Sequence, residues 1–155
     1  MIEAFKNINP FILGLLISLG IGLILGLERE YDKLKEEQGF AGIRTFPIVA
    51  IIGFILGNLS TTYTPWLVII IAAAFLLFLS LSHLSIVQKH IMTGITTNMA
   101  LFATLILGVM VANHLHKEAV ATAVVVVTLL SLKTTFNTFI KNITSEELFA
   151  FIKFS

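Results

Sequence analysis

The fold is decided by residues 11–30, which read FILGLLISLGIGLILGLERE. Residues 11–27 form a run of 17 without a charge, and a helix of that length rises about 25 Å, close to the roughly 30 Å hydrocarbon core of a bilayer. A secretion signal has a basic start and a small-residue cleavage site, whereas this run follows Pro10 and ends in the alternating charges of Glu28, Arg29 and Glu30. We therefore expect a retained transmembrane helix.

The composition of the whole chain agrees with a lipid environment. Of its 155 residues, 57% are hydrophobic and 12% are charged, against about 25% charged in an ordinary soluble domain. Ten Lys and Arg against nine Asp and Glu leave a formal net charge of +1, so nucleic-acid binding is excluded as a main function because no basic field would hold a phosphate backbone. The lack of cysteine excludes disulfides, thiolate nucleophiles, Cys-based zinc sites and iron–sulfur clusters.

Four further apolar runs predict four more helices, over residues 40–59, 66–84, 91–112 and 119–132. Tyr63 and Trp66 lie in or next to the short link between the second and third runs, where aromatic rings prefer the lipid–water boundary. The valines at 124–127 would favour a strand in water, but in lipid the backbone closes its hydrogen bonds only as a helix or a complete barrel. No alternating pattern supports a barrel, so we predict an all-α polytopic bundle with five transmembrane spans.

The basic residues predict the orientation of this bundle. Five spans leave only Lys6 and Lys117 on one side and place eight basic residues on the other: Arg29, Lys33, Lys35, Arg44, Lys89, Lys133, Lys141 and Lys153. The positive-inside rule then puts the N-terminus outside and the C-terminus in the cytoplasm. Residues 1–136 form the transmembrane domain in this scheme. Residues 137–155, with a capping-box pattern at Thr144 and Glu147, form a cytoplasmic amphipathic helix or the start of a truncated C-terminal region.

A charged cluster at the inner mouth of the bundle is the first candidate site. Glu28 ends the first apolar run, and Arg44 lies about one turn inside the second run if that helix begins at Phe40. An unpaired arginine at that depth would cost about 2–3 kcal/mol, so we expect Glu28 or Arg29 to pair with Arg44. In the alternative, Arg44 extends to lipid phosphates as a topology anchor.

The fourth run carries a polar segment, Gly94 followed by Thr96, Thr97 and Asn98. Threonine hydroxyls bond back to the preceding helical turn, and an asparagine reaches a neighbouring helix, so one interpretation is interhelical contact. The other is a broken helix whose backbone lines a polar cavity. The sequence leaves both open.

Small residues at a spacing of four predict close helix packing. They form one stripe on the first helix and shorter ones on the second and fourth. Small residues at this spacing let helix backbones approach each other closely in lipid. Packing inside one bundle is favoured, and a seam between subunits remains an alternative for any one stripe. The residues are Gly14, Ser18, Gly22 and Gly26, then Gly53 and Gly57, then Thr104, Gly108 and Ala112.

His114, His116 and Glu118 form an HxHxE string before the fifth run, and they are weak candidates for a metal site because their spacing does not preset a coordination geometry. No phosphate-binding glycine loop and no nucleophile–base pair is visible in the sequence. We expect a protein that is not an enzyme and that needs no cofactor.

Three strings carry a resemblance to a known family. They are GLERE at residues 26–30, AGIRT at residues 41–45 and GITT at residues 94–97, and together they resemble the membrane domain of the MgtC/SapB family of bacterial inner-membrane proteins. The closest members look like long ones that continue into a second hydrophobic domain. Such members often carry an acid after the two threonines, where this chain has Asn98.

The resemblance implies a multi-pass protein of the bacterial inner membrane that is linked to magnesium homeostasis and to growth in low magnesium. Its expected role is an oligomeric regulator or modulator that contacts the lipid bilayer, copies of itself and another membrane protein complex. The alternative is an ion transporter or channel, with the charged mouth as its entry and residues 96–98 as its filter.

Overall fold

The computed structural model describes residues 9–36, 41–87 and 95–142, which form five helices. They are α1 (Pro10–Glu36), α2 (Thr45–Thr62), α3 (Trp66–Val87), α4 (Ile95–Ala112) and α5 (His116–Asn142). No strand occurs in these described ranges, and the valines at 124–127 lie inside α5. The all-α prediction is confirmed.

The second helix begins later than its apolar run. The carbonyl of Gly42 accepts the N–H groups of Thr45 at 3.0 Å and of Phe46 at 3.3 Å, so the first turn of α2 is built on Gly42. Pro47 lies in that first turn, where its missing N–H leaves no partner unsatisfied. Arg44 therefore precedes α2, and the prediction that it lies one turn inside the helix is wrong.

The first and last helices are longer than their apolar runs. α1 continues through the charged residues to Glu36, because the Glu, Lys, Arg and Leu residues there are good helix formers. α5 extends from His116 to Asn142. Hydropathy thus marks the part of a helix that lipid can cover and not the helix itself. Residues 143–155, with the predicted capping box, lie outside the described residues, so the domain boundary at 136 stays a prediction.

The helices pack around α2 and α4. These two share the largest interface, α1 packs on α2 and also contacts α4 and α5, and α5 packs on α4 and α1. α3 lies at the edge of the bundle, where it makes smaller contacts with α2 and α4. The largest fully buried side chains are apolar or small: Phe46, Leu25, Leu107, Val111, Thr104 and Ser18.

The interface between α2 and α4 brings two backbones into direct contact. A Cβ atom on Gly53 would overlap the carbonyl oxygen of Leu105, and one on Gly108 would overlap the carbonyl oxygen of Ala50. One turn further along, Gly57 faces the Cβ atom of Ala112. The small-residue stripes of α2 and α4 therefore meet each other.

The stripe of α1 packs against α2. A Cβ atom on Gly22 would lie 2.5 Å from the Cα atom of Pro47, and one on Gly14 would overlap the ring of Phe54. Ser18, between them on the same face, is fully buried. All three stripes lie at contacts within the chain, which is the first of the two arrangements that the sequence left open.

The outer surface of the bundle is apolar, as a lipid-embedded protein requires. Large hydrophobic side chains are more than half exposed on helices all around it, including Ile24 on α1, Ile70 on α3 and Leu129 on α5. Among the described residues, the helical segments Pro10–Asp32 and Thr45–Thr62 are long and apolar enough to cross a membrane, and Trp66–Leu81 and Thr96–Ala112 are shorter apolar segments. The chain is a helical membrane bundle, and the orientation and the crossing of each helix stay predictions.

Candidate functional site

A buried ion cluster lies near the C-terminal end of α1. The Nη2 atom of Arg29 is 2.6 Å from Oε2 of Glu28 and 2.5 Å from Oδ2 of Asp32, and its Nε atom donates to the same Glu28 oxygen at 2.6 Å. The Arg29 side chain is only 7% exposed, and the two carboxylates are 9% and 13% exposed. One guanidinium thus bridges two carboxylates, and the three groups together carry one net negative charge.

The buried face of α1 explains why an arginine lies inside. Ser18, Gly22 and Leu25 are buried, and Arg29 and Asp32 follow them at helical spacing on the same face. A charged side chain on this face is tolerable only with partners, because removing one member of a buried ion pair costs several kcal/mol. Asp32, one turn after Arg29, supplies the second partner.

The cluster also joins the first helix to the last. The hydroxyl of Ser131 on α5 donates to Oε1 of Glu28 at 3.3 Å across 103 positions of sequence. Each oxygen of the Glu28 carboxylate therefore has a partner, one on its own helix and one on α5.

A second carboxylate holds the segment before α2. Oε2 of Glu30 accepts the backbone N–H of Ile43 at 3.3 Å. In the same region a Cβ atom on Gly26 would lie 3.0 Å from the Cα atom of Ile43, so the two backbones touch. Two of the strings that carry the family resemblance, residues 26–30 and 41–45, are thus packed against each other.

The structure places Arg44 outside the buried cluster. Its side chain is exposed, and it makes no ion pair with any residue in the described ranges. The predicted pairing of Glu28 or Arg29 with Arg44 is not found there, because Arg29 itself pairs with the carboxylates of Glu28 and Asp32.

The polar segment of α4 lies at the depth of this cluster. Residues 113–115 connect α4 to α5 as a hairpin. Thr96 on α4, and Leu132 next to Ser131 on α5, are each 16 residues, or about 24 Å of helix, from the helix end at this hairpin. Thr96, Thr97 and Asn98 are half-buried in the first turns of a continuous helix. Gly94 lies outside the described residues, so the choice between interhelical contact and a broken helix stays open.

The histidines lie at the opposite end of the bundle. The rings of His114 and His116 are edge to face with centroids 5.9 Å apart, and Glu118 is exposed in the first turn of α5. No group of three His, Cys, Asp or Glu side chains within the described ranges could hold a metal ion. The described residues give no support to the weakly indicated metal site at His114, His116 and Glu118.

His114 instead has a role in ending α4. Its φ of 62° is left-handed, its N–H reaches the carbonyl of Val111, and the N–H of Leu115 reaches the carbonyl of Met110. This pair of bonds is the Schellman motif that closes helix C-termini, and glycine is the usual residue at the left-handed position.

Sequence reasoning found part of the site and missed three of its members. Glu28 and Arg29 were expected at the charged end, but Asp32, Glu30 and Ser131 were not selected. The spacing of three between Arg29 and Asp32 is a readable signal on a helix. The bond from Glu30 to a backbone N–H leaves no signal in the sequence, and neither does the bond from Ser131.

The comparisons with known proteins agree with the three strings. Curated proteins and solved structures give no match to this chain. The model of the MgtC family, in contrast, matches residues 15–139, which include α2, α3 and α4 completely and most of α1 and α5. With that match over most of its length, the chain belongs to the MgtC family.

Proposed function

We propose that this membrane protein is a non-enzymatic regulator or modulator of other inner-membrane proteins, that it works as an oligomer, and that it serves growth in low magnesium. All five helices cross the bacterial inner membrane in this proposal. The charged end of the bundle, with Arg29 and Arg44, faces the cytoplasm. The link to magnesium comes from the family resemblance.

The close contact of α2 with α4 is the observation that carries this proposal. A pore needs polar groups or water along its length, and it needs helices that leave room for an ion. Here Gly53 and Gly108 bring the two central backbones together, and the core on either side is apolar. A bundle packed in this way suits a role through surface contacts better than conduction through its centre.

The ion cluster supports the same proposal. A hard cation such as Mg²⁺ binds through oxygen ligands, usually carboxylates with waters. The Glu28 carboxylate contacts Arg29 and Ser131, and Asp32 contacts the same arginine. These side chains hold helices together, and a stable charged end offers a fixed surface to a partner.

Two experiments test the proposal. Purified full-length chain is reconstituted into liposomes that contain a magnesium-sensitive dye, and we expect no selective magnesium entry above empty liposomes. In parallel, a bacterium that lacks its own family member and grows poorly in low magnesium expresses the chain, and we expect growth to be restored.

The transport alternative predicts a different pattern. Selective magnesium flux that is lost on Glu28→Gln, and is kept in the matched exposed variant Glu118→Gln, would establish a transporter and overturn the regulator. A monomer in cross-linking of intact membranes would remove the oligomer from the proposal. Failure to restore growth by a correctly inserted chain would remove the low-magnesium role.

A further inference from the structure

We propose that Arg44 binds the phosphate of an anionic phospholipid headgroup, so that the surface before α2 is a lipid-binding site of this protein. This inference goes beyond the regulatory role and does not depend on it. Two arginines at the same end of the bundle have different surroundings. Arg29 is buried between two carboxylates, whereas Arg44 is exposed.

The depth of Arg44 follows from the length of α2. Its 18 residues rise about 27 Å, close to the thickness of the hydrocarbon core. At its far end, Tyr63 and Trp66 are 75% and 68% exposed, as expected of aromatic side chains at a membrane boundary. If these rings mark one boundary, Arg44 lies at the other, where the phosphates of the second leaflet are.

The local contacts direct Arg44 outward. Glu28 and Asp32 contact Arg29, and Glu30 accepts the N–H of Ile43. The backbone of Gly26 also packs against the backbone of Ile43. Ile43 is therefore held in place next to Arg44. The described acidic side chains at this end of the bundle make their contacts with groups other than the Arg44 side chain.

An exposed guanidinium group such as that of Arg44 recognises phosphate. A guanidinium presents its donors in a planar fork that matches phosphate oxygens, and an arginine at a membrane surface adds about 1 kcal/mol of attraction to anionic lipid. That free energy corresponds to about a fivefold change in affinity. The source at this depth is a lipid headgroup and not phosphate free in solution.

The test titrates the full-length chain in non-ionic detergent micelles with phosphatidylglycerol, phosphatidylcholine or inorganic phosphate, and bound lipid is counted by native mass spectrometry. We expect phosphatidylglycerol to bind more tightly than phosphatidylcholine, and Arg44→Gln to weaken phosphatidylglycerol binding about fivefold. Lys117→Gln, an exposed basic residue at the opposite end, is the matched control and should leave the affinity unchanged.

Three results would overturn the inference. They are unchanged phosphatidylglycerol affinity in Arg44→Gln, an equal loss in Lys117→Gln, and displacement of the lipid by inorganic phosphate, which would indicate a site for free phosphate. Arg44→Lys covers the case in which Arg44→Gln does not fold. It keeps the charge but loses the planar fork, so it should bind phosphatidylglycerol more weakly than the unchanged chain, and added salt should weaken that binding further.

Discussion

Replacing Arg29 by methionine is the sharpest test of the buried cluster. The change leaves Glu28 and Asp32, which are 9% and 13% exposed, facing each other without a cation. Breaking a buried ion pair in this way costs about 3–5 kcal/mol, and we expect the lower end here because the two carboxylates keep some exposure. That loss is a large share of the roughly 5–15 kcal/mol that stabilises a typical folded domain.

The assay is reversible unfolding of the purified chain in mixed micelles, with Arg44→Met as the matched control. Arg44 is exposed and makes no ion pair with a described residue, so its removal should change the free energy of unfolding by at most about 0.5 kcal/mol in the absence of anionic lipid. The triple variant Glu28→Gln, Arg29→Met, Asp32→Asn removes the charges together and should recover most of the loss. Equal effects of Arg29→Met and Arg44→Met would refute the reasoning, and so would a triple variant less stable than Arg29→Met.

Three further predictions use the same unfolding assay. Gly108→Ala places a methyl group against the carbonyl oxygen of Ala50 and should lower the free energy of unfolding by about 1–3 kcal/mol. Gly20→Ala, which has no atom within 4 Å, should leave it unchanged or raise it by up to about 1 kcal/mol, and equal effects of the two variants would contradict the direct backbone contact. His114→Gly relieves a left-handed residue and should be more stable than His114→Ala by about 1 kcal/mol, and the reverse order would contradict the helix-capping role. Ser131→Ala should cost about 0.5–1.5 kcal/mol through its lost bond to Glu28, and a loss of the same size in a chain that already carries Glu28→Met, which has no acceptor oxygen, would show that the bond is not the cause.

The sequence was a good guide wherever local chemistry determines structure. Apolar runs located all five helices of the described residues, and the spacing of small residues indicated which faces come together. It was a poor guide to helix ends, because hydropathy does not distinguish a helix from an apolar turn. Residues 41–43 are as apolar as a helix start, yet the carbonyl of Gly42 and the position of Pro47 determine that α2 begins at Thr45.

The candidate site was predictable only in part. Glu28 and Arg29 stood out because they follow an uncharged run directly. Arg44 does not make the ion pair that was predicted for it with a described residue, since its depth was estimated from a helix start that is five residues too early. Ser131 could not be found at all, because contact between residues that far apart depends on how the helices pack.

The contact between α2 and α4 also bears on how the protein is made. These helices are separated in the chain by α3, which lies at the edge of the bundle, so the tightest interface joins elements that are not consecutive. About 50 residues separate the ends of α2 and α4, which at roughly 5–20 residues per second is several seconds of translation. During that interval Gly53 and Gly57 have no partner helix, and the nascent chain presents a polar backbone groove to lipid or to the insertion machinery. The tightest interface of this bundle therefore forms only when α4 arrives, and not between helices that are neighbours in the chain.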